Sequence, residues 1–297
     1  MYPRNFHYYR AQSLEDAVRT LAELGPDARL LAGGQSLIPL MKLRMASPAA
    51  LVDIGHIAGL NYVRKDDARI AFGALSRHAE IEHSKLAREI PIVHDCAAGI
   101  ADVQVRNWGT LVGSIAEADP TGDWAPVLLS LGAEVICLGP KGERTVPLPG
   151  FITDAFSTSL AEGEVVREVR VAQPKRGSGG AYIAFKRCAP VYASASAAVQ
   201  LTIEQGVCRA ARIFLGAVGL TAIHAHESET VLQGKRIDGK AITAAAEAAM
   251  AAAQPQSDQR GSADYKRALI RGLVAEAIEA AARRAAGHAV EVAHHYA

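Results

Sequence analysis

The sequence predicts an α+β protein made of three units, residues 1–55, 56–174 and 175–297. In the first two units, apolar segments of strand length alternate with segments of helix length. A glycine-rich and charged stretch over 173–180 follows as the best linker candidate. Beyond it, strand-like segments and two alanine-rich helices predict an antiparallel sheet with helices packed on it.

The first unit is predicted to run strand, helix, strand, helix. Ser13 can cap a helix with a buried apolar face, and Gly25 can end that helix in the left-handed conformation. A short apolar strand over 28–32 runs into two glycines, and a helix over 36–45 and a strand over 51–54 come next. The unit is small for an independent core, so we expect it to pack on the second unit.

The second and third units are predicted from the same apolar periodicities. In the second unit we expect strands over 69–72 and 164–171, a hairpin of 134–138 with 144–148, helices over 77–86, 91–100 and 123–131, and a glycine-containing loop over 107–114. In the third unit we expect strands over 181–187, 194–204 and 207–216, and helices over 241–253 and 263–286.

Charge and cysteine content restrict the function classes. The 32 basic and 31 acidic side chains nearly cancel, so we expect no nucleic-acid partner. The first residues lack the apolar run of a signal peptide, and the longest apolar stretches are too short for a transmembrane segment.

Cys96, Cys137, Cys188 and Cys208 lie far apart, without a C-x-x-C pair. That spacing predicts a cytoplasmic protein that holds no iron–sulfur cluster or zinc knuckle by itself.

Two adjacent glycines follow the predicted strand over 28–32, in the segment Leu30-Leu31-Ala32-Gly33-Gly34-Gln35-Ser36-Leu37. Glycine permits backbone conformations that turn successive N–H groups to one side, and such a concavity before a helix suits a diphosphate. Ser36 can add a hydroxyl group. The alternative is a plain tight turn in which Ser36 only caps the next helix, and this motif alone leaves that alternative open.

A second loop of small residues, Gly109-Thr110-Leu111-Val112-Gly113-Ser114, follows Arg106-Asn107 and precedes Asp119 and Asp123. Two phosphate-sized loops on two units can clamp a dinucleotide between them. Asp123, just inside a predicted helix, can accept a hydrogen bond from a ribose hydroxyl or can simply cap the helix.

Together the two motifs resemble the double-glycine signature of the FAD-binding medium subunits of molybdenum hydroxylases. This family includes aerobic carbon monoxide dehydrogenase and the flavin domain of xanthine dehydrogenase. The likeness extends through 37–44, 51–54 and the C-terminal unit, so it covers nearly the whole chain. It implies a two-subdomain FAD-binding fold, PCMH-like as in the vanillyl-alcohol-oxidase flavoproteins, followed by a C-terminal domain of antiparallel sheet with helices.

The resemblance also implies roles for single residues. Backbone groups of 32–36 and 110–114 would hold the FAD pyrophosphate, Asp123 would lie near the ribose, and Leu160 would pack by the isoalloxazine. The candidate cofactor-binding residues are Leu30, Leu31, Ala32, Gly33, Gly34, Gln35, Ser36, Leu37, Arg106, Asn107, Thr110, Leu111, Val112, Gly113, Ser114, Asp119, Asp123, Leu160, Lys186 and Tyr192.

Lys186 matches a basic residue close to the flavin ring in some members, where a cation favours the anionic reduced flavin. The alternative is a solvated lysine on a strand. The sequence departs from the family at Val112, where relatives usually carry another glycine, and at Val191, where many carry aspartate. These departures concern the second loop and the ring environment, and Tyr192 can still stack near the flavin.

The resemblance implies an electron-transfer subunit. A large partner subunit would carry the molybdopterin cofactor, and a small partner would carry two 2Fe–2S clusters, in a dimer of heterotrimers. This chain would receive electrons from those clusters on FAD and release them to an external acceptor. We expect no catalytic acid, base or nucleophile in the chain itself. The complex would be cytoplasmic, and its association with the inner face of the membrane is left open.

Two other functions remain to be distinguished. The first is a stand-alone FAD-dependent oxidase or dehydrogenase of the vanillyl-alcohol-oxidase type, which often binds its flavin covalently through histidine. No histidine lies in either glycine loop, which counts against a covalent link. The second is a non-catalytic nucleotide-binding or scaffold protein.

For two groups of histidines we expect no functional role. His224-x-His226-Glu227 has the density of a ligand set but lacks the H-E-x-x-H helix pattern, so we expect a solvated loop and no metal site. His294-His295, close to the C-terminus, is predicted to be a frayed tail.

Overall fold

Three short parallel strands form the first sheet of the computed structural model, which describes residues 2–297. They are β1 (His7–Arg10), β2 (Ala28–Leu31) and β3 (Ala50–Asp53), and β3 lies between the other two. Helix α1 (Leu14–Leu24) connects β1 to β2 as the sequence predicts. The Ser13 hydroxyl accepts a hydrogen bond from the Asp16 N–H at 3.1 Å and so caps the helix.

Helix α2 (Leu37–Lys42) is shorter than the helix predicted over 36–45. Arg44 adopts a left-handed conformation with φ 60°, and the Met45 N–H donates to the Leu40 carbonyl at 2.9 Å. This backbone arrangement closes the helix early because it directs the chain away from the helix axis.

The second sheet is antiparallel, with the strand order β4-β5-β10-β6-β7. Its strands are β4 (Val63–Asp66), β5 (Arg69–Gly73), β6 (Glu134–Gly139), β7 (Gly142–Pro147) and β10 (Val165–Ala172), and a small hairpin joins β8 (Ile152–Asp154) to β9 (Ser157–Thr158). The helices of this part are α3 (His78–His83), α4 (Lys85–Arg88), α5 (Pro91–Gly99), α6 (Val103–Trp108), α7 (Leu111–Glu117), α8 (Trp124–Ser130) and α9 (Leu148–Phe151).

Two predictions for the second unit were wrong. The helix predicted over 77–86 divides at Ser84, whose extended backbone ends α3 and whose hydroxyl accepts from the Ala87 N–H at the start of α4. The loop predicted over 107–114 is mostly helical, since α6 ends at Trp108 and α7 begins at Leu111. Thr110 makes this possible because its hydroxyl accepts from the Gly113 N–H at 3.0 Å and caps α7.

The third sheet has the strand order β14-β13-β12-β11-β15. Its strands are β11 (Ser178–Lys186), β12 (Ala195–Glu204), β13 (Val207–Gly216), β14 (Ile223–His224) and β15 (His295–Tyr296), and its helices are α10 (His226–Leu232), α11 (Gly239–Ala252) and α12 (Ala263–Ala285). All neighbours are antiparallel except β11 and β15, which are parallel. The α+β class predicted from the sequence is therefore confirmed.

Both faces of the third sheet are buried. On one face, Ile183, Val199 and Leu215 belong to a core shared with the alanine-rich α11 and α12. On the other face, Tyr182 and Phe214 belong to the core of the first two sheets. Small side chains let α12 lie close to the sheet, and a Cβ at residue 179 of β11 would come within 2.2 Å of a carbonyl oxygen of that helix. The third sheet is thus the common wall of two cores.

The linker predicted over 173–180 is shorter than expected, because β11 already begins at Ser178. The last three residues of that stretch therefore pair with β12 across the sheet. The predicted unit boundaries at 55 and 174 stay predictions.

The C-terminal tail is ordered by specific hydrogen bonds, so the prediction that His294-His295 frays was wrong. The His294 Nδ1 accepts from the Ala184 N–H at 3.2 Å, and its Nε2 donates to the Asp95 carbonyl at 2.9 Å. His295 pairs with Phe185 as β15 adds to the edge of the sheet. Burial lowers the pKa of His294, which matches the neutral ring that these two bonds require.

A buried ion pair joins the second unit to the third. The Arg284 guanidinium of α12 donates to both carboxylate oxygens of Asp95 in α5, at 2.6 and 2.9 Å. The same guanidinium also donates to the carbonyls of Gly180 and Val290. Because both charges are removed from water and both are matched, this pair fixes the relative position of α5 and α12.

Within residues 2–297, every helix falls short of the length or the apolarity that crossing a bilayer requires.

Candidate functional site

A cavity of about 730 Å³ opens where the first and second units meet. Its volume is in the range of about 300–1,000 Å³ that is usual for pockets that bind small molecules. Of the residues predicted from the sequence, its lining includes Leu30, Leu31, Ala32, Gly33, Gly34, Gln35, Ser36, Leu37, Thr110, Gly113, Ser114, Asp123, Leu160 and Tyr192.

A second cavity of about 630 Å³ adjoins the first. The two share residues 31–35 and Thr110, so they are the two ends of one groove that passes over both glycine motifs. Trp108, Arg77 and His56 contribute to the lining of the second cavity. The groove is therefore long, and the glycines of the first motif lie where its two ends meet.

The two glycine motifs touch each other through their backbones. A Cβ atom at residue 33 would lie 2.1 Å from the Trp108 carbonyl oxygen and 3.0 Å from the Gly109 Cα, so only glycine fits at this position. Gly34 follows with φ 70°, in the left-handed region that favours glycine. The first motif thus requires glycine at position 33 for the contact with Trp108 and favours glycine at position 34 for the left-handed conformation.

Several residues of the first motif that line the groove have unpaired N–H groups. Within residues 2–297, the N–H groups of Gly33, Gly34, Gln35 and Ser36 have no hydrogen-bond acceptor. The Ser36 hydroxyl makes no capping bond to α2. Unpaired donors in a partly buried position need a partner, and several that converge form a site for an anion.

The second motif has two further unpaired donors. Leu111 donates its N–H to the Ser76 carbonyl and Gly113 donates to the Thr110 hydroxyl, whereas the N–H groups of Thr110 and Val112 have no acceptor in the described part of the chain. The Val112 side chain is buried in the core and does not enter the groove. The substitution of glycine by valine at this position therefore leaves the groove open.

Asp123 lines the larger cavity, and two buried side chains of the third sheet donate hydrogen bonds to it. Its carboxylate accepts from the Lys186 ammonium at 3.0 Å and from the Tyr182 hydroxyl. Asp123 makes no side-chain capping bond to α8, so the capping role considered for it does not apply. A buried carboxylate that is paired with a cation can accept a further hydrogen bond from a ligand hydroxyl.

Lys186 does not line the groove. Its side chain is 1% exposed, and its ammonium also donates to the Gly99 carbonyl at 2.8 Å. The alternative of a solvated strand lysine is therefore wrong, since the residue is fully buried behind Asp123. Lys186 acts on the site through that carboxylate.

Five further candidates lie outside the groove lining. Arg106 donates to Glu82 and to the Ile100 carbonyl, so it ties α6 to its neighbours. Asn107 is exposed and donates to the Val103 carbonyl at 2.7 Å. The remaining three are the core residues Leu111 and Val112, and Asp119, which accepts from the Thr121 N–H in a turn.

Leu160 and Tyr192 form apolar parts of the wall of the larger cavity. Burial of the Tyr192 hydroxyl raises its pKa to about 12, and the carboxylates of Asp119 and Glu117 act in the same direction. The Arg260 guanidinium lies 5.8 Å from the centre of the Tyr192 ring. Tyr192 is therefore a neutral aromatic group at the lip of the cavity.

His78 also lines the larger cavity and was missed in the sequence. The Trp124 indole N–H donates to its Nδ1 at 3.1 Å, and burial lowers the pKa of His78 to about 4. The ring is therefore neutral, with its proton on Nε2, beside Gly109. His78 lies within the helix predicted over 77–86, and no motif in the sequence marked it.

These features together fit a dinucleotide such as FAD. Converging N–H groups in the middle of the groove suit a diphosphate, Asp123 suits a sugar hydroxyl, and Leu160 and Tyr192 suit the face of a ring. A side chain at residue 33 would fill the place where the two motifs meet.

Comparison with known protein families gives the same result. Residues 4–174 match the model described as the FAD binding domain in molybdopterin dehydrogenase. Residues 180–281 match the carbon monoxide dehydrogenase flavoprotein C-terminal domain.

Several characterised proteins are similar over nearly their whole length. The 6-hydroxypseudooxynicotine dehydrogenase complex subunit alpha of Paenarthrobacter nicotinovorans is 42% identical, over 96% of this chain and 97% of its own. The carbon monoxide dehydrogenase medium chain of Afipia carboxidovorans is 39% identical, over 96% and 99%. In the solved structure of carbon monoxide dehydrogenase from Hydrogenophaga pseudoflava, one chain superimposes with a TM-score of 0.93 at 40% identity, over 96% of this chain and 99% of that one.

Replacing Gly33 by alanine tests the contact between the two motifs. The added methyl group would collide with the Trp108 carbonyl, which is backbone and cannot rotate away. We expect Gly33→Ala to weaken FAD binding at least about tenfold, a loss of about 1.4 kcal/mol or more, measured by fluorescence titration.

The matched control is Gly272→Ala in α12, where nothing lies within 4 Å of the new methyl group. That variant should bind FAD as the parent does. Unchanged FAD affinity in Gly33→Ala would show that the close contact does not shape the binding site.

His78 should make stability depend on pH. Its pKa lies at about 4 in the folded chain against an ordinary value of 6.5, so its contribution is complete above pH 6.5 and is lost as the pH falls to about 4. The full loss amounts to about 3 kcal/mol. We expect the free energy of unfolding of His78→Asn to fall less steeply over this range than that of the parent.

An exposed control, His288→Asn, should follow the parent. Parallel curves of unfolding free energy against pH for His78→Asn and the parent would contradict the assignment.

Proposed function

This chain belongs to the family of FAD-binding medium subunits of molybdopterin dehydrogenases, and we propose that it is the electron-transfer subunit of such a complex. In this proposal, the chain would hold FAD, which would supply the reversible redox chemistry that connects iron–sulfur clusters of a partner subunit to an external acceptor. The observation that carries the proposal is the groove, in which unpaired N–H groups from two motifs converge between apolar walls.

The residues of this chain bind and orient the cofactor. FAD, when bound, supplies the reversible reduction of its isoalloxazine ring. The N–H groups of 33–36, with that of Thr110, would donate to the diphosphate and so fix the register of the dinucleotide along the groove. Asp123 accepts from a ribose hydroxyl, and Leu160 and Tyr192 limit access of water to the ring. His78 Nε2 offers one further neutral donor from the floor.

The cysteines support the assignment of the clusters to another chain. Cys96, Cys137 and Cys208 are buried, and burial raises the pKa of each of these thiols. A cluster or a zinc ion requires thiolates that lie together. The buried thiols therefore support the proposal that a partner subunit holds the clusters that reduce FAD.

The partners follow from the same family membership. We propose a large subunit with the molybdopterin cofactor and a small subunit with two 2Fe–2S clusters, assembled as a dimer of heterotrimers in the cytoplasm. The name of the Paenarthrobacter relative describes it as a subunit of a dehydrogenase complex, and the Afipia relative is called a medium chain. Both names are consistent with a partner-dependent enzyme.

Purification of the native complex through this chain tests the proposal. We expect molybdenum and iron to co-elute with FAD when this chain is the bait, and we expect the separated chain to retain FAD without either metal. Metal analysis and visible spectra of the two preparations provide the measurement.

The stand-alone oxidase makes the opposite prediction. If the separated chain, free of molybdenum and iron, oxidises an alcohol with oxygen at the rate of the whole preparation, the relay proposal is wrong. A complex that contains this chain but neither metal would also contradict it.

A further inference from the structure

A cluster of two histidines and one glutamate lies at the far edge of the third sheet. His224 ends β14, His226 begins α10, and Glu229 lies one turn further along that helix. The prediction of a solvated loop here was wrong, since a strand and a helix meet at this point. The ligand-type atoms of the three side chains all lie within 4.8 Å of one another.

The three side chains are held in place by their surroundings. Glu229 Oε1 accepts from the Ile213 backbone N–H at 2.7 Å and lies 2.7 Å from His224 Nε2. The Phe214 ring stacks on the His224 ring, with centroids 4.3 Å apart and planes at 10°. A backbone bond to the carboxylate and a stacked ring are the kind of support that orients ligands before an ion arrives.

The imidazole rings of His224 and His226 lie close together. The centroids of His224 and His226 are 3.6 Å apart, and His226 Nδ1 lies 3.8 Å from Glu229 Oε2. His224 and Glu229 form a hydrogen bond, whereas the His226 ring makes none within residues 2–297. A shared cation accounts for all three, because it places both rings and the free carboxylate oxygen around one point.

We propose that His224, His226 and Glu229 bind one divalent transition-metal ion of the zinc type. Imidazole nitrogen suits zinc, nickel and copper, whereas magnesium and calcium prefer sites made of oxygen ligands. Three protein ligands leave room for water, which enters from the side of His226, whose side chain is 74% exposed. Binding joins the edge strand β14 to α10.

This site is separate from the cofactor groove. His224 is in register with Phe214, then with Ala198 and then with Tyr182, which contacts Asp123 at the groove. Three inter-strand spacings of about 4.8 Å therefore separate the backbone at His224 from that at Tyr182. The loss of the metal should leave FAD binding intact.

Zinc competition measures the proposed site directly. The full chain, made without a histidine tag, is treated with a chelator, dialysed and titrated with zinc against a chromophoric chelator. We expect one zinc ion per chain at micromolar or lower free zinc, and an excess of magnesium should not displace it. Cobalt substitution should give the visible bands of a nitrogen- and oxygen-coordinated ion.

The decisive variant is His226→Ala, because this side chain is largely exposed and its loss should not unfold the protein. We expect zinc affinity to fall at least about 100-fold, since loss of supporting groups alone costs about 10–100-fold. FAD content should not change. The control His288→Ala, at an exposed position elsewhere, should bind zinc as the parent does.

Two results would overturn the proposal. One is a parent chain that binds no zinc at micromolar concentration. The other is equal zinc binding by His226→Ala and His288→Ala, which would show that the uptake is adventitious. Because FAD content is recorded in the same samples, neither result bears on the proposed electron-transfer function.

Discussion

The close approach of Gly33 to the Trp108 carbonyl is the constraint on which the rest of the site depends. It brings the turn after β2 against the end of α6, two segments far apart in sequence. Because a side chain at position 33 would fill this contact, the approach requires glycine. It aligns the unpaired N–H groups of both motifs along one groove, and that alignment allows a diphosphate to be held from two sides.

Side chains of the third unit hold residues of the groove in place through buried ion pairs and hydrogen bonds. Lys186 and Tyr182, both on β11, hold Asp123 at the floor of the cavity, and Arg284 of α12 holds Asp95 of α5. Each of these buried charges has a partner across the boundary between units, and a buried charge without its partner is strongly destabilising. The C-terminal domain therefore fixes the geometry of the binding site without forming most of its lining, which explains why buried charges lie so close to a cofactor groove.

The paired glycine motifs and most helices and strands could be predicted from the sequence, because both depend on local chemistry. Turn residues, apolar periodicity and caps such as Ser13 act over a few positions. Other features depended on distant contacts. The burial of Lys186 requires Asp123 and the Gly99 carbonyl to be brought beside it, and the order of His294 requires Asp95 and β11. Similarly, small residues predicted a loop over 107–114, whereas the Thr110 cap starts helix α7 at Leu111.

The groove is rich in backbone donors, and the buried thiols Cys96, Cys137 and Cys208 lie far apart in the sequence. Both observations fit the proposed role of this chain as the holder of FAD. The central claim is that each chain holds one FAD non-covalently in this groove. The most direct test is the visible spectrum of the purified, FAD-reconstituted chain, followed by acid precipitation. We expect flavin bands at one FAD per chain, with the flavin released into the supernatant. An absence of flavin bands, or flavin that remains in the precipitate, would contradict this account.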